Sequence, residues 1–393
     1  MFSPERIEQR LVSLRTELLA GGLDGAVIVQ NTDLAYFTGT NQQAHLIVPA
    51  TGEPRLLVRR TLERARAESP LARIDSLRSL SGLAPALADA GLEPGSLIGF
   101  ELDVLRAATY LGYVRRLDGY RIGDASAAIA AVRSRKTSQD IADMRVAAAQ
   151  VDQATRQVPS LLRPGLTESQ VQVEVESILR KAGHQGLMRY RGFNQELHFG
   201  QVLSGAGGAV PGYSDSPLCG SGPNPVIGKG AGSRALAEGE PVIVDIVGAW
   251  NGWLADQTRT FAIGAVAADV RAAYDLSVAI LRAVEAELRP GAVPSELFGL
   301  AERMAADAGL GEHFMGAGAS RVRFLGHGIG MEVDETPVLA PGFDQPLVEG
   351  NVVAIEPKFV FADRGAVGIE NTYAVTATGY DTLTTAPEEL IEV

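Results

Sequence analysis

A chain of 393 residues, 46% hydrophobic and 21% charged, is long and apolar enough for two domain cores, and its net charge of −12 argues against nonspecific binding to nucleic acid or an anionic membrane. No apolar segment reaches the roughly 20 residues needed to cross a bilayer, and the single cysteine, Cys219, excludes an intrachain disulfide framework and a cysteine-type zinc site. The opening "MFSPERIEQR" is charged where a secretory signal needs an apolar stretch, so a cytoplasmic protein is predicted.

Ser3 before Pro4 reads as a helix N-cap with proline at the first helical position, and Ile7, Leu11, Leu14 and Leu18 follow at helical spacing. "GLDGAVIV", "HLIVPA" and "PRLLVRR" read as strands between turn residues. This alternation predicts a smaller α/β domain over 1–133. The polar "SRKTSQD" marks its end, and a second domain is expected over 137–393, opening on a long helix with Ile141, Met144, Ala148 and Val151 on one face.

Within the second domain a repeat stands out. "RPGLTESQVQVEVESILRKAG" from Arg163 and "RPGAVPSELFGLAERMAADAG" from Arg289 match in length and ends, with Glu176 against Glu302. Each follows a helical segment and precedes a strand-rich one, which predicts an α+β fold built from a duplicated ααβ half. The stretch 205–234 between the first repeat and the next strands is rich in Gly, Pro and Ser and reads as a long loop. Its Gly228-Lys229 lacks the glycine and the Ser or Thr that a phosphate loop needs, since Pro223 and Gly230 stand there.

Two acidic hairpins follow. In "VDIVGAWNGWLADQTRTF" the Asn251-Gly252 pair is a strong hairpin turn, which sets Asp256 opposite Val247 and makes it the diagonal neighbour of Asp245 on one side of the sheet. In "NVVAIEPKFVF" and "GAVGIENTYAV", Glu356 and Glu370 are symmetric about Asp363 and are expected to lie opposite each other or nearly so. Like charges so placed among apolar residues need a positive partner. Arg259 and Lys358 are nearby, but paired hard oxygen ligands suit divalent cations better. His327, flanked by Gly326, Gly328 and Gly330 between the two hairpins, has a better claim to join them than His45, His184, His198 or His313. Two metals roughly 3.5–4 Å apart would activate a bridging water and polarise a carbonyl.

Asp245, Asp256 with "QTRTF", His327 in "GHGIG", Glu356 in "AIEP" and Glu370 in "GIEN" together resemble the creatinase/aminopeptidase P/prolidase metallopeptidases of pita-bread fold, from about Thr137 to the end. "DLAYFTGT" and the leading segment look like that family's N-terminal domain. The resemblance implies two divalent metal ions (Mn, Co, Fe or Zn) and a homodimer. It implies that Asp256 and Glu370 bridge the metals, that Asp245 holds one and His327 and Glu356 the other, and that Glu356 takes the proton from water. The implied reaction is hydrolysis of an amide near a free amino terminus, most typically Xaa-Pro.

The departures lie around the ligands. The family's histidine seven residues after His327 is Asp334 here, its arginine two before Glu370 is Gly368, and its upstream histidine falls on Lys229 or Gly228. Lys229, Asp334, Tyr213, Arg189 and Arg191 (the last two in "RYRGFNQELHF") are therefore the candidates for binding a short peptide or small-molecule substrate. A relative acting on a small non-peptide substrate is the alternative enzyme, and a non-catalytic pita-bread binding module the alternative from another class.

Overall fold

A computed structural model of the chain describes residues 3–196 and 198–393, which divide into two compact units, 1–133 and 134–393. In the first unit Ser3 accepts the Arg6 N–H at 3.3 Å and caps a helix, Pro4–Ala20, whose Ile7, Leu11, Leu14 and Leu18 are buried. Six strands form its sheet: β1 (Gly25–Ile28), β2 (Ala44–Pro49), β3 (Arg55–Val58), β4 (Ile74–Ser76), β5 (Leu97–Phe100) and β6 (Arg121–Asp124). The order is β4-β3-β2-β1-β5-β6, with antiparallel pairing among β1, β2 and β3 and parallel pairing elsewhere. Val27, Ile47, Leu57, Ile98 and Phe100 form the core of this unit with residues of the helices packed on it.

The second unit is built twice. Helices α1 (Ser138–Leu161) and α2 (Glu168–Lys181) precede the first set of strands, and α3 (Ala268–Glu287) and α4 (Pro294–Asp307) the second. Both repeats place glycine in the left-handed region at the same two points, Gly165 and Gly183 against Gly291 and Gly309. Thr137 and Thr167 open α1 and α2 with reciprocal capping boxes to Asp140 and Gln170, whereas α4 starts on Pro294 with no side-chain cap.

The strands of this unit are β7 (Gly200–Ser204), β8 (Pro241–Trp250), β9 (Trp253–Ala262), β10 (Gly326–Gly328), β11 (Glu335–Leu339), β12 (Val352–Ile355), β13 (Lys358–Phe361), β14 (Gly365–Gly368), β15 (Asn371–Val375), β16 (Tyr380–Thr382) and β17 (Ile391–Glu392). They form sheets of order β17-β9-β8-β7 and β11-β10-β12-β15-β16, with β13-β14 a separate pair. Val151, Ala154 and Val158 of α1 pack with Val242, Val244 and Ile246 of β8, and each such side chain fully buried stabilises by about 1.5–3 kcal/mol. Contact between α1 and β8 is closest at Gly248, where any Cβ would strike the backbone carbonyl of Ala147. Helices α3 and α4 pack in the same way on β12 and β15 through Leu281, Val284, Phe298, Val353 and Tyr373.

Candidate metal centre and active site

Asn251 and Gly252 both adopt positive φ, 50° and 87°, the backbone that a tight two-residue hairpin demands. The β8–β9 register then pairs Val247 with Asp256 and Asp245 with Thr258, so the two aspartates share one side of the sheet as the symmetric count predicts. From the neighbouring strand, Gln201 faces Asp245 and donates from Nε2 to Asp245 Oδ2 at 3.3 Å.

The second acidic hairpin differs from expectation in one respect. Register about Asp363 holds on both sides of the glutamates, with Lys358 opposite Gly368 and Ile355 opposite Asn371. Glu356 and Glu370 themselves are not ladder partners, because the ladder breaks there into two sheets. Pro357 has no N–H to contribute, and Glu370 bridges instead to Thr258 of β9, its N–H donating to the Thr258 carbonyl at 3.1 Å. Thr258 Oγ1 also donates to Glu370 Oε2 at 2.7 Å. Arg259 locks the junction from behind, with Nη1 donating to the Glu370 carbonyl at 2.7 Å and Nη2 to Asn371 Oδ1 at 2.7 Å.

The glycines beside His327 have a physical reason. Strand β10 is squeezed between β11 and β12, and a Cβ at Gly326 would strike the Ala354 carbonyl while one at Gly328 would strike the backbone of Thr336. His327 Nδ1 lies 3.0 Å from the Gly328 carbonyl, which it meets as an N–H donor, leaving the Nε2 lone pair on the side of Glu356, 3.8 Å from Oε1.

All five side chains, with Lys229 and Asp334, line one cavity of about 260 Å³. One donor atom each from Asp256, His327 and Glu370 falls within a 4.8 Å cluster. Asp256 is 6% exposed, and its Oδ1 has no hydrogen-bond partner among the described residues. A buried carboxylate oxygen left unsatisfied beside an imidazole and further carboxylates is a donor set that fits a divalent cation. Lys358, 1% exposed, contacts Glu356 Oε2 and lies 2.9 Å from Glu370 Oε2.

The electrostatics follow from this crowding. Burial pushes Asp256 well above the usual carboxylate range, and the charges of Glu370 and Asp245 push it further. Asp245 is raised by burial against the pull of Lys358. Glu356 is raised by burial to about 7, with Lys358 opposing and Glu370 reinforcing. For Glu370 burial also pushes upward, but Lys358, His327 and the hydroxyl of Thr258 outweigh it and hold the carboxyl below its ordinary value. His327 is raised: burial lowers it, and Glu356, Asp334 and Glu370 more than reverse that.

Three of the proposed substrate residues lie elsewhere. Arg189 and Arg191 do not line the cavity. Arg191 Nη1 lies 3.6 Å from the buried Glu332, and the residue between the two arginines, Tyr190, forms the wall instead. Tyr190 has its phenol raised by burial and by Asp334, Asp256, Glu356 and Asp245, in that order, so it stays a neutral donor. Tyr213 lines a neighbouring groove with Arg321 and Phe324, and its hydroxyl lies 3.3 Å from Glu196. His198, set behind His327 on sequence grounds, also forms the wall. Its ring lies against Gly230, where an added Cβ would be 3.6 Å from Cδ2, and its nitrogens have no hydrogen-bond partner among the described residues. No local pattern in the sequence marks it for this place.

The long loop is held by a residue that local patterning does not single out. Glu168 accepts from Ser204 N at 2.7 Å and Gly232 N at 2.9 Å, pinning both ends of the segment that brings Asp215, Ser216 and Lys229 to the cavity.

Comparisons with known proteins agree with this architecture. Residues 142–377 match metallopeptidase family M24, and residues 10–135 match the creatinase/prolidase N-terminal domain. A Mycobacterium tuberculosis protein named "Probable dipeptidase PepE" is 30% identical over 409 residues, spanning 100% of this chain and 98% of the relative. The crystal structure of dipeptidase PepE from Mycobacterium ulcerans superposes with a TM-score of 0.83 at 28% identity, covering 100% of this chain and 99% of that one. The Xaa-Pro dipeptidase from Bacillus anthracis gives a TM-score of 0.83 at 26% identity, covering 98% and 100%. Among the described residues no helix is long and apolar enough to cross a membrane. With the duplicated half-domains, the five candidate ligands and the matched span all in one unit, the chain belongs to metallopeptidase family M24, as a two-domain hydrolase of pita-bread fold.

Proposed function

We propose that this chain is a dipeptidase dependent on two divalent metal ions, cleaving Xaa-Pro or a related short peptide. The observation that carries the reading is the convergence of Asp245, Asp256, His327, Glu356 and Glu370 on one small cavity, with Asp256 Oδ1 unsatisfied inside it. Asp245, Asp256, His327, Glu356 and Glu370 would together hold the two ions. When bound, the ions polarise the scissile carbonyl and acidify water.

The protein's own groups account for the rest. Glu356, which lines the cavity beside His327 and Glu370, is placed to accept a proton from water and pass it to the leaving nitrogen. Asp334 faces the cavity beside Tyr190 and His327, where an acidic group suits a substrate's terminal ammonium. Lys229, across the loop, suits the terminal carboxylate. A cavity of about 260 Å³ is large enough for a small substrate such as a dipeptide.

The test is a panel of Xaa-Pro dipeptides, longer Xaa-Pro peptides and dipeptides without proline, assayed on chelator-stripped protein with and without Mn²⁺ or Co²⁺. Metal-dependent release of proline from the dipeptides, fastest in the panel, is expected. Uptake of less than one equivalent of metal, or turnover indifferent to chelation, would refute the proposal.

A further inference from the structure

Lys358 is ion-paired to two members of the acidic cluster, Glu356 and Glu370. It enters from the first position of β13, two residues beyond Glu356, and is 1% exposed. A buried ammonium is costly unless its protons are used. Here it contacts Glu356 Oε2 and lies 2.9 Å from Glu370 Oε2, an oxygen that also receives the Thr258 hydroxyl at 2.7 Å.

The facing strand leaves that space to it. Lys358 pairs with Gly368, and a Cβ at 368 would come within 2.6 Å of Lys358 Cγ and 2.7 Å of the Pro357 carbonyl. The stem of the lysine therefore crosses a position that can carry no side chain, and on this hairpin pair the cation can come only from 358. The two oxygens it touches belong to carboxylates that a divalent ion would also need.

We infer that Lys358 is a built-in counter-cation of the metal pocket: it holds Glu356 and Glu370 together in the metal-free protein and competes with divalent ions for the same carboxylates, so that it sets metal affinity. This rests on the metal-site reading proposed above. The sign separates it from a scaffolding role. A lysine that merely braced the glutamates would, on removal, weaken metal binding. A competing charge would, on removal, strengthen it, because repulsion between a single and a double positive charge a few ångströms apart stays several times thermal energy even at an effective dielectric constant of about 20.

Isothermal titration of Mn²⁺ into chelator-stripped protein decides between them without reference to turnover. Lys358→Met and Lys358→Gln are expected to bind with Kd lower by about tenfold or more than wild type, and Lys358→Arg to stay within about threefold. Lys358→Gln keeps an N–H donor for one glutamate, so it reports even where Lys358→Met fails to fold. Binding by the neutral variants that is equal to or weaker than wild type would overturn the inference while leaving the metal site standing. Absence of Mn²⁺ uptake in wild type and variants alike would overturn both.

Discussion

Asp256→Asn exposes the opposition between stability and function in this pocket. The side chain keeps its size and loses its charge. In the metal-free protein Asp256 is buried, unsatisfied at Oδ1, and raised first by burial and then by Glu370 and Asp245. Removing a buried, repelled carboxylate in favour of an amide that can donate to those neighbours should stabilise the metal-free unit by about 2 kcal/mol. For a unit spanning 134–393 that corresponds to a rise in Tm of roughly 4–8 °C. Metal acts in the other direction. At a free Mn²⁺ concentration 100 times Kd, wild type gains about 2.7 kcal/mol, or roughly 5–10 °C, and the variant, without the carboxylate proposed to hold the ions, gains almost nothing. Thermal unfolding followed by far-UV ellipticity, with chelator and with excess Mn²⁺, should therefore show the two proteins exchanging order: the variant melts higher in chelator and lower in metal. A variant that melts below wild type in chelator, or that keeps a full metal-induced rise, would refute the assignment of Asp256 as a strained ligand.

Two further outcomes are expected elsewhere in the chain. His198→Ala should lower kcat/KM for a cleaved dipeptide by about 100–1,000-fold, as loss of one donor at a polarised carbonyl does, with Mn²⁺ affinity unchanged and partial rescue by His198→Gln; wild-type kinetics would show that the ring only lines the wall. In the first unit, His45 donates or accepts through Nε2 with the Tyr113 hydroxyl at 2.8 Å, its Nδ1 is unpaired, and burial with the nearby Arg59 lowers it from 6.5 to about 4. Because the folded value lies below the unfolded one, the unfolded chain takes up the proton first as pH falls. Stability is complete above about pH 6.5 and is lost on the way down to about pH 4, roughly 2 kcal/mol of it between pH 7 and pH 5. Urea titrations at those two pH values should show wild type losing that much more than His45→Gln, and equal losses would contradict the account.

How much of this was legible beforehand depends on the range of the interactions involved. The β8–β9 register could be counted because a two-residue turn at Asn251-Gly252 leaves the strands no freedom, and side-chain direction then follows from a period of two. The count about Asp363 held on either side of Glu356 and Glu370, while the break of the ladder at the glutamates was not legible because the partner of Glu370, Thr258, comes from another strand more than 100 positions away in sequence. The "RYR" motif drew attention to its charges, yet it is the tyrosine between them that lines the cavity, while Arg191 lies beside the buried Glu332. His198 was illegible because nothing local distinguishes a histidine that a loop carries to a cavity from one left in solvent.

The departure from internal symmetry shows where this unit was fitted to its site. Position by position the two repeats agree through the helix lengths and the left-handed glycines that end them. They disagree at the first residue of the second helix, Glu168 in one half and Pro294 in the other. Proline there completes a helix start and does nothing else. Glu168 is 1% exposed and spends both carboxylate oxygens on Ser204 and Gly232, the two ends of the loop that carries Lys229. In the proline half position 294 carries no carboxylate to hold such a loop, and His327 comes instead from a three-residue strand clamped on both edges. One half thus anchors a long segment that lines the cavity and the other presents His327 to it from a clamped strand. Replacement of Glu168 should therefore disturb the Lys229 side of the cavity while leaving the carboxylate–histidine cluster in register, because no hydrogen bond runs from Glu168 to any of its five members.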